Sequence, residues 1–140
     1  MHAYAMSLAT NHGGVCVFVR HGIQFSVIDT PLSKTFESLL LSVRDGVQSF
    51  AFVVIYRPDP LSTLTIKDDF FVDFADVLER TATFVRCVVV GDVNIHLYDV
   101  NSTQVSRLVA LLDDFGLHDV VGQPTHTRGH QLDIFVTRID

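Results

Sequence analysis

The chain has 140 residues and a formal net charge of -6, with 48% hydrophobic and 19% charged residues. That balance suits one folded domain and excludes extended disorder, while the excess of acid excludes a protein that grips nucleic acid chiefly through a wide basic surface. Apolar runs fall short of the roughly 18–20 residues a membrane span needs, and the amino end lacks the basic-then-apolar order of a signal peptide, so an intracellular address, nuclear or cytoplasmic, is expected.

Strands are predicted over residues 15–20, 24–28, 36–43 and 50–56, all rich in Val, Ile and Phe. His21-Gly22 and Asp45-Gly46 are turn signals, since Gly tolerates the positive φ of tight hairpins, and the first four strands are therefore expected to form antiparallel hairpins. Over residues 66–84, Phe70, Phe71, Phe74, Val77 and Leu78 recur at helical spacing, with Thr65 and Asp68 resembling a capping pair. A fifth strand follows over residues 87–90. The second helix starts at Ser102 as N-cap, turns Val105, Leu108, Val109, Leu112 and Phe115 inward, and stops at Gly116. A last strand covers residues 132–137. Hairpins followed by alternating strand and helix predict an α/β sandwich with mixed sheets and outer helices. Cys16 and Cys87 lie in apolar runs without a second Cys at metal-ligand spacing, and read as two buried thiols.

Chemistry is concentrated at strand ends. In Val88-Val89-Val90-Gly91-Asp92-Val93-Asn94-Ile95-His96 an apolar strand runs into Gly and then presents Asp, Asn and His. Gly91 allows a turn or a close approach to a ligand, and Asp92 and Asn94 would share a face if the extended conformation persisted. The same pair could equally cap the turn after a buried strand. Tyr56 and Arg57, ahead of the ladder-ending Pro58, could both address a phosphate; alternatively Tyr56 closes a core and Arg57 lies on the surface. Asp133 opens a strand of Ile, Phe and Val, where burial would demand a partner. No Gly-rich phosphate loop, Ser nucleophile elbow or zinc motif occurs, so catalysis through a covalent side-chain nucleophile has no support.

Taken in order, Gly13-Gly14-Val15-Cys16-Val17-Phe18-Val19-Arg20, Thr35-Phe36-Glu37-Ser38-Leu39, Ile55-Tyr56-Arg57-Pro58, Gly91-Asp92-Val93-Asn94-Ile95-His96 and Pro124-Thr125-His126 through Gly129-His130-Gln131-Leu132-Asp133 resemble successive blocks of the endonuclease domain of non-LTR retrotransposons. That domain belongs to the endonuclease/exonuclease/phosphatase superfamily, and the resemblance covers nearly the whole chain. It implies a DNase I-like α/β sandwich of two mixed sheets. The activity it implies is Mg²⁺-dependent hydrolysis of DNA phosphodiesters by in-line attack of water. By the same resemblance, Asp92 is the acid that orients and deprotonates the water, Asn94 holds that water and the phosphate, and Tyr56 stands beside the scissile phosphate. Asp133 orients a late catalytic His, while Arg57 and His96 line the substrate pocket.

The family's metal-binding Glu belongs upstream of the Gly-Gly strand, yet residues 1–12 contain no acid, and Glu37 stands too late in the order to replace it. The late Ser-Asp-His block belongs after the Leu-Asp strand, and no such block follows Asp133. The expectation is a single, incomplete domain whose remaining acids hold Mg²⁺ only weakly. It is either part of a nuclease or a non-catalytic retroelement remnant that binds a partner or has no role.

Overall fold

The structure, a computed structural model, describes residues 2–6, 14–58, 64–120 and 132–139, with the backbone alone for residues 2–6 and 64–69. Strands β1 (His2–Met6) and β2 (Val15–Val19) form a two-stranded antiparallel sheet. The main sheet has six strands: β3 (Phe25–Ile28), β4 (Glu37–Asp45), β5 (Gln48–Tyr56), β6 (Cys87–Asp92), β7 (His118–Asp119) and β8 (Asp133–Arg138). Their spatial order is β3-β4-β5-β6-β8-β7. Among the described strands only β5 and β6 run parallel, and they are joined by helix α1 (Leu64–Glu79), as a parallel pair requires a crossover. Helix α2 (Thr103–Asp114) follows β6.

Strand period decides the two faces of the main sheet. Ala51, Val53 and Ile55 of β5 join Phe36, Leu40, Cys87, Val89, Ile134 and Val136 in one core with Phe70, Phe74, Val77 and Leu78 of α1 and Leu108 of α2. The intervening Phe52, Val54 and Tyr56 turn the other way, into a smaller core with Val15, Val19, Leu39 and Leu41. Helices thus cover one face, and β1 with β2 lies against β4 and β5 on the other. The β3–β4 loop is pinned to α1 by the Ser33 hydroxyl, which donates to Asp73 at 2.6 Å, with Thr35 beside it.

The α/β sandwich with outer helices is as expected, and the differences are local. The main sheet is mixed, but the second is purely antiparallel. His21-Gly22 is a turn with Gly22 at φ 96, yet it carries the chain from one sheet to the other, so β2 and β3 do not form a hairpin. The β4–β5 hairpin turns on Gly46-Val47, one residue later than expected, with Gly46 at φ 61. Helix α1 begins at Leu64, which puts Thr65 inside its first turn rather than at a cap. It ends at Glu79, where tighter turns take over and the Thr81 hydroxyl donates to the Leu78 carbonyl at 2.7 Å. In α2, Val109 is exposed and Leu111 packs against the core in its place. Cys16 is exposed, because Val15, Val17 and Val19 of its strand face the core and Cys16 alternates with them; Cys87 is buried, which pushes its thiol pKa up. Among the described residues no helix is long and apolar enough to cross a membrane.

Candidate active site

Strand register assembles the site. Tyr56, the last residue of β5, is the Cα partner of Asp92, the last residue of β6, and Asp92 is in turn the partner of Asp133, the first residue of β8. Residues in register on neighbouring strands point to the same face, so the phenol and the two carboxyls share one end of the sheet, on the face opposite the helices. The row extends one strand further. Glu37, the first residue of β4, pairs with Tyr56 and is buried. Chain order alone had set Glu37 aside; alternation along β4 with Leu39 and Leu41 was the signal that places it on this face.

Beyond Asp92 the chain leaves the sheet through a clipped turn. The Asp92 carboxylate accepts the Asn94 backbone N–H at 2.9 Å, and Asn94 takes the left-handed conformation, φ 49, that Asn tolerates better than most residues. The extended conformation therefore does not persist to Asn94, and the turn-capping and site readings of this pair are the same geometry. The Asn94 side-chain amide donates to the Arg57 carbonyl at 2.6 Å, and the Arg57 N–H donates to the Asp92 carbonyl at 2.8 Å.

Arg57 corrects both expectations for it. It is neither on the surface nor at a phosphate-facing position: its side chain is fully buried, 4.3 Å over the Phe70 ring, and donates to the Val93 carbonyl at 3.2 Å. One residue past Tyr56, it points to the helix face, as strand period dictates. Asp133 is exposed, so the cost of a buried acid does not arise. His96 is exposed, its ring edge-on to Tyr98 at 5.5 Å. The Pro124-Thr125-His126 block lies outside the described residues. The structure thus brings Tyr56, Asp92, Asn94 and Asp133 together, adds Glu37, and turns Arg57 inward.

Burial pushes the Asp92 carboxyl above the ordinary aspartate range, the Asn94 N–H pulls it back, and the neighbouring Asp133 pushes it up again. A carboxyl whose folded pKa exceeds its unfolded one binds more protons when folded, so stability falls as pH rises through that window and the cost persists at neutral pH. Asp92→Asn removes the charge but keeps an acceptor for the Asn94 N–H. It should raise the melting temperature at pH 7 by about 1–3 °C. The gain should vanish below about pH 3.9, where the unfolded carboxyl is protonated as well. Equal melting temperatures at pH 7 would contradict the electrostatic strain assigned to this site.

No family model matches the sequence, and no curated protein matches it. Solved structures do. The endonuclease domain of TRAS1, a telomere-specific non-LTR retrotransposon, superimposes with a TM-score of 0.68 at 15% identity, over 96% of this chain and 64% of that one. The human Nocturnin catalytic domain, solved with a bound sulfate anion, gives 0.64 at 14% identity, over 97% of this chain and 60% of that one. The chain therefore spans less than two thirds of either neighbour's length. At these identities the likeness is one of fold, and the fold of this chain is the DNase I-like fold of the endonuclease/exonuclease/phosphatase proteins.

Proposed function

We propose that the chain forms part of a site for phosphodiester hydrolysis in DNA, of the kind found in retroelement endonucleases. The observation that carries the reading is the register that aligns Tyr56, Asp92 and Asp133 across three neighbouring strands, with Asn94 clipped beside them. In this reading Asp92, its proton affinity raised by burial, orients the attacking water and takes its proton. Asn94 holds the water and the phosphate, Tyr56 stands beside the scissile phosphate, and Asp133 orients a histidine. In the same reading His96, exposed two residues past Asn94, lines the substrate pocket. With a net charge of -6, contact with DNA is local to this rim.

Among the described residues no group of three or more His, Cys, Asp or Glu can hold a metal ion. They do not by themselves fit a Mg²⁺ site, so the roles above are those of side chains alone. Mg²⁺ binding by this chain should be weak and largely through water.

Nicking of supercoiled plasmid in Mg²⁺ should be undetectable for the 140-residue chain. Grafting on the flanking segments of the TRAS1 endonuclease domain should produce nicking, which Asp92→Ala or Asn94→Ala then lowers by at least about a hundredfold. Nicking by the unextended chain that survives Asp92→Ala would sink the assignment. The second reading, a non-catalytic retroelement remnant, draws on the lack of a metal-holding cluster among the described residues. A grafted protein that folds and never nicks decides for it.

A further inference from the structure

One residue, Val93, separates the end of β6 at Asp92 from Asn94, and Arg57 touches all three. Its N–H donates to the carbonyl of Asp92, its guanidinium Nη1 to the carbonyl of Val93, and its own carbonyl accepts the side-chain amide of Asn94. Two of these bonds belong to the backbone of Arg57 and do not use its side chain. The third depends on the side chain, which must be held in place to make it.

Phe70 does that holding. The Arg57 guanidinium lies 4.3 Å over its ring, and the ring is itself wedged against Phe36, Phe71 and Phe74 at centroid distances of 5.6, 5.1 and 5.5 Å. A guanidinium keeps its charge at any ordinary pH and is costly to bury, so a fully buried one stays only where its surroundings fix it. The path is continuous: the phenylalanine cluster of α1 and Phe36, just ahead of β4, fixes Arg57, Arg57 fixes Val93, and Val93 lies between Asp92 and the left-handed Asn94.

We propose that Arg57 is a positioning residue, which transmits the rigidity of the helix-face core through the sheet to the Asp92–Asn94 turn and holds Asn94 in its left-handed conformation. It acts through Asn94 and Asp92 and does not meet a phosphate. Its effect on the turn is independent of the nuclease reading; its effect on turnover rests on that reading.

The test is amide hydrogen exchange in the 140-residue chain, comparing Arg57→Met and Arg57→Lys with the parent. Met keeps the length and apolar contact over Phe70 but removes the donor; Lys keeps a charge but loses the planar fork. In Arg57→Met the amides of residue 57 and Asn94 should exchange at least about tenfold faster, while Leu40 and Val53 in the β4–β5 pair keep the parent's protection. Arg57→Lys should fall between, and Phe70→Leu should loosen the same two amides. Equal acceleration at Leu40, Val53 and Asn94 would reduce Arg57 to a general stabilising role and overturn the proposal, as would an unchanged Asn94 amide. Failure of both Arg57 variants to fold would overturn it in the same sense. In the grafted protein, Arg57→Met should lower kcat with KM within about twofold, whereas loss of a phosphate contact would raise KM. If no grafted protein nicks, the exchange result still decides the role of Arg57.

Discussion

A Gly91→Ala chain should lose about 2–6 kcal/mol of stability, a large part of the roughly 5–15 kcal/mol available to a domain. Gly91 sits in β6 between Ile55 of β5 and Ile134 of β8, at φ 144. A Cβ built there would lie 1.8 Å from the Ile55 carbonyl oxygen, 2.8 Å from its carbon and 3.0 Å from its nitrogen. All three atoms are backbone of the paired strand, one step from the end of the parallel ladder, so nothing can swing aside and the strands themselves must part. Overpacking costs about 1–3 kcal/mol or more, and a backbone conformation that only Gly adopts freely adds about 1–3 kcal/mol.

The sequence suggests that Gly91 permits a turn or the approach of a ligand; the structure shows the approach is to the neighbouring strand. The consequence reaches the site, because the same parting separates Tyr56 from Asp92. Gly22→Ala is the control: Gly22 also has a positive φ, 96, but a Cβ there meets nothing within 4 Å. Its cost should be conformational strain alone, about 1 kcal/mol. Urea unfolding of the two variants separates the effects, and a Gly91→Ala midpoint as high as that of Gly22→Ala would mean that the β5–β6 approach is looser than described.

What the sequence makes legible follows from the range of the interactions. The inward face of α1 was readable because Phe70, Phe71, Phe74, Val77 and Leu78 carry a local period, and all five are buried. The turn at His21-Gly22 was equally readable as a turn, but a turn signal says nothing about which strand the chain will pair with next, and here it leads to another sheet. Strand β7, only His118 and Asp119, has no pattern of its own; it exists because β8 offers Thr137 and Val136 as partners. Resemblance brought Tyr56, Asp92, Asn94 and Asp133 into one site across long sequence separations. Alternation with Leu39 and Leu41 gives the face of Glu37, but its position beside Tyr56 depends on the β4–β5 register, which chain order does not contain. Arg57 was misjudged although the signal was present: it continues the odd-numbered series Ala51, Val53 and Ile55, all on the helix face.

Arg138, at the far end of β8 from Asp133, should matter nearly as much to stability as Gly91 does. Its register partner is Cys87, so its side chain lies on the helix face, where it reaches the ends of both helical segments. Nη1 donates to the Phe115 carbonyl at 2.7 Å, and Nη2 to the Thr81 and Phe84 carbonyls at 2.8 and 2.9 Å. Phe115 is the C-cap of α2, and Thr81 and Phe84 belong to the turns that follow α1. Helix ends leave carbonyls without intrahelical donors, and the dipole there favours a cation. One half-buried guanidinium serves both ends and ties them to β8. Hydrogen bonds from a charged group contribute about 1.5–3 kcal/mol each, with less than full additivity when they share a donor group. Arg138→Met keeps the apolar stem and strands all three acceptors, so it should cost about 3–4 kcal/mol, a drop of roughly 1–2 M in the urea midpoint. Lysine, with a single ammonium in place of the fork, should recover only part of that loss. A midpoint for Arg138→Met within about 0.3 M of the parent would show that water replaces the guanidinium at these carbonyls, and that the helix ends hold to the sheet through the apolar contacts of Phe84, Leu112 and Leu117 instead.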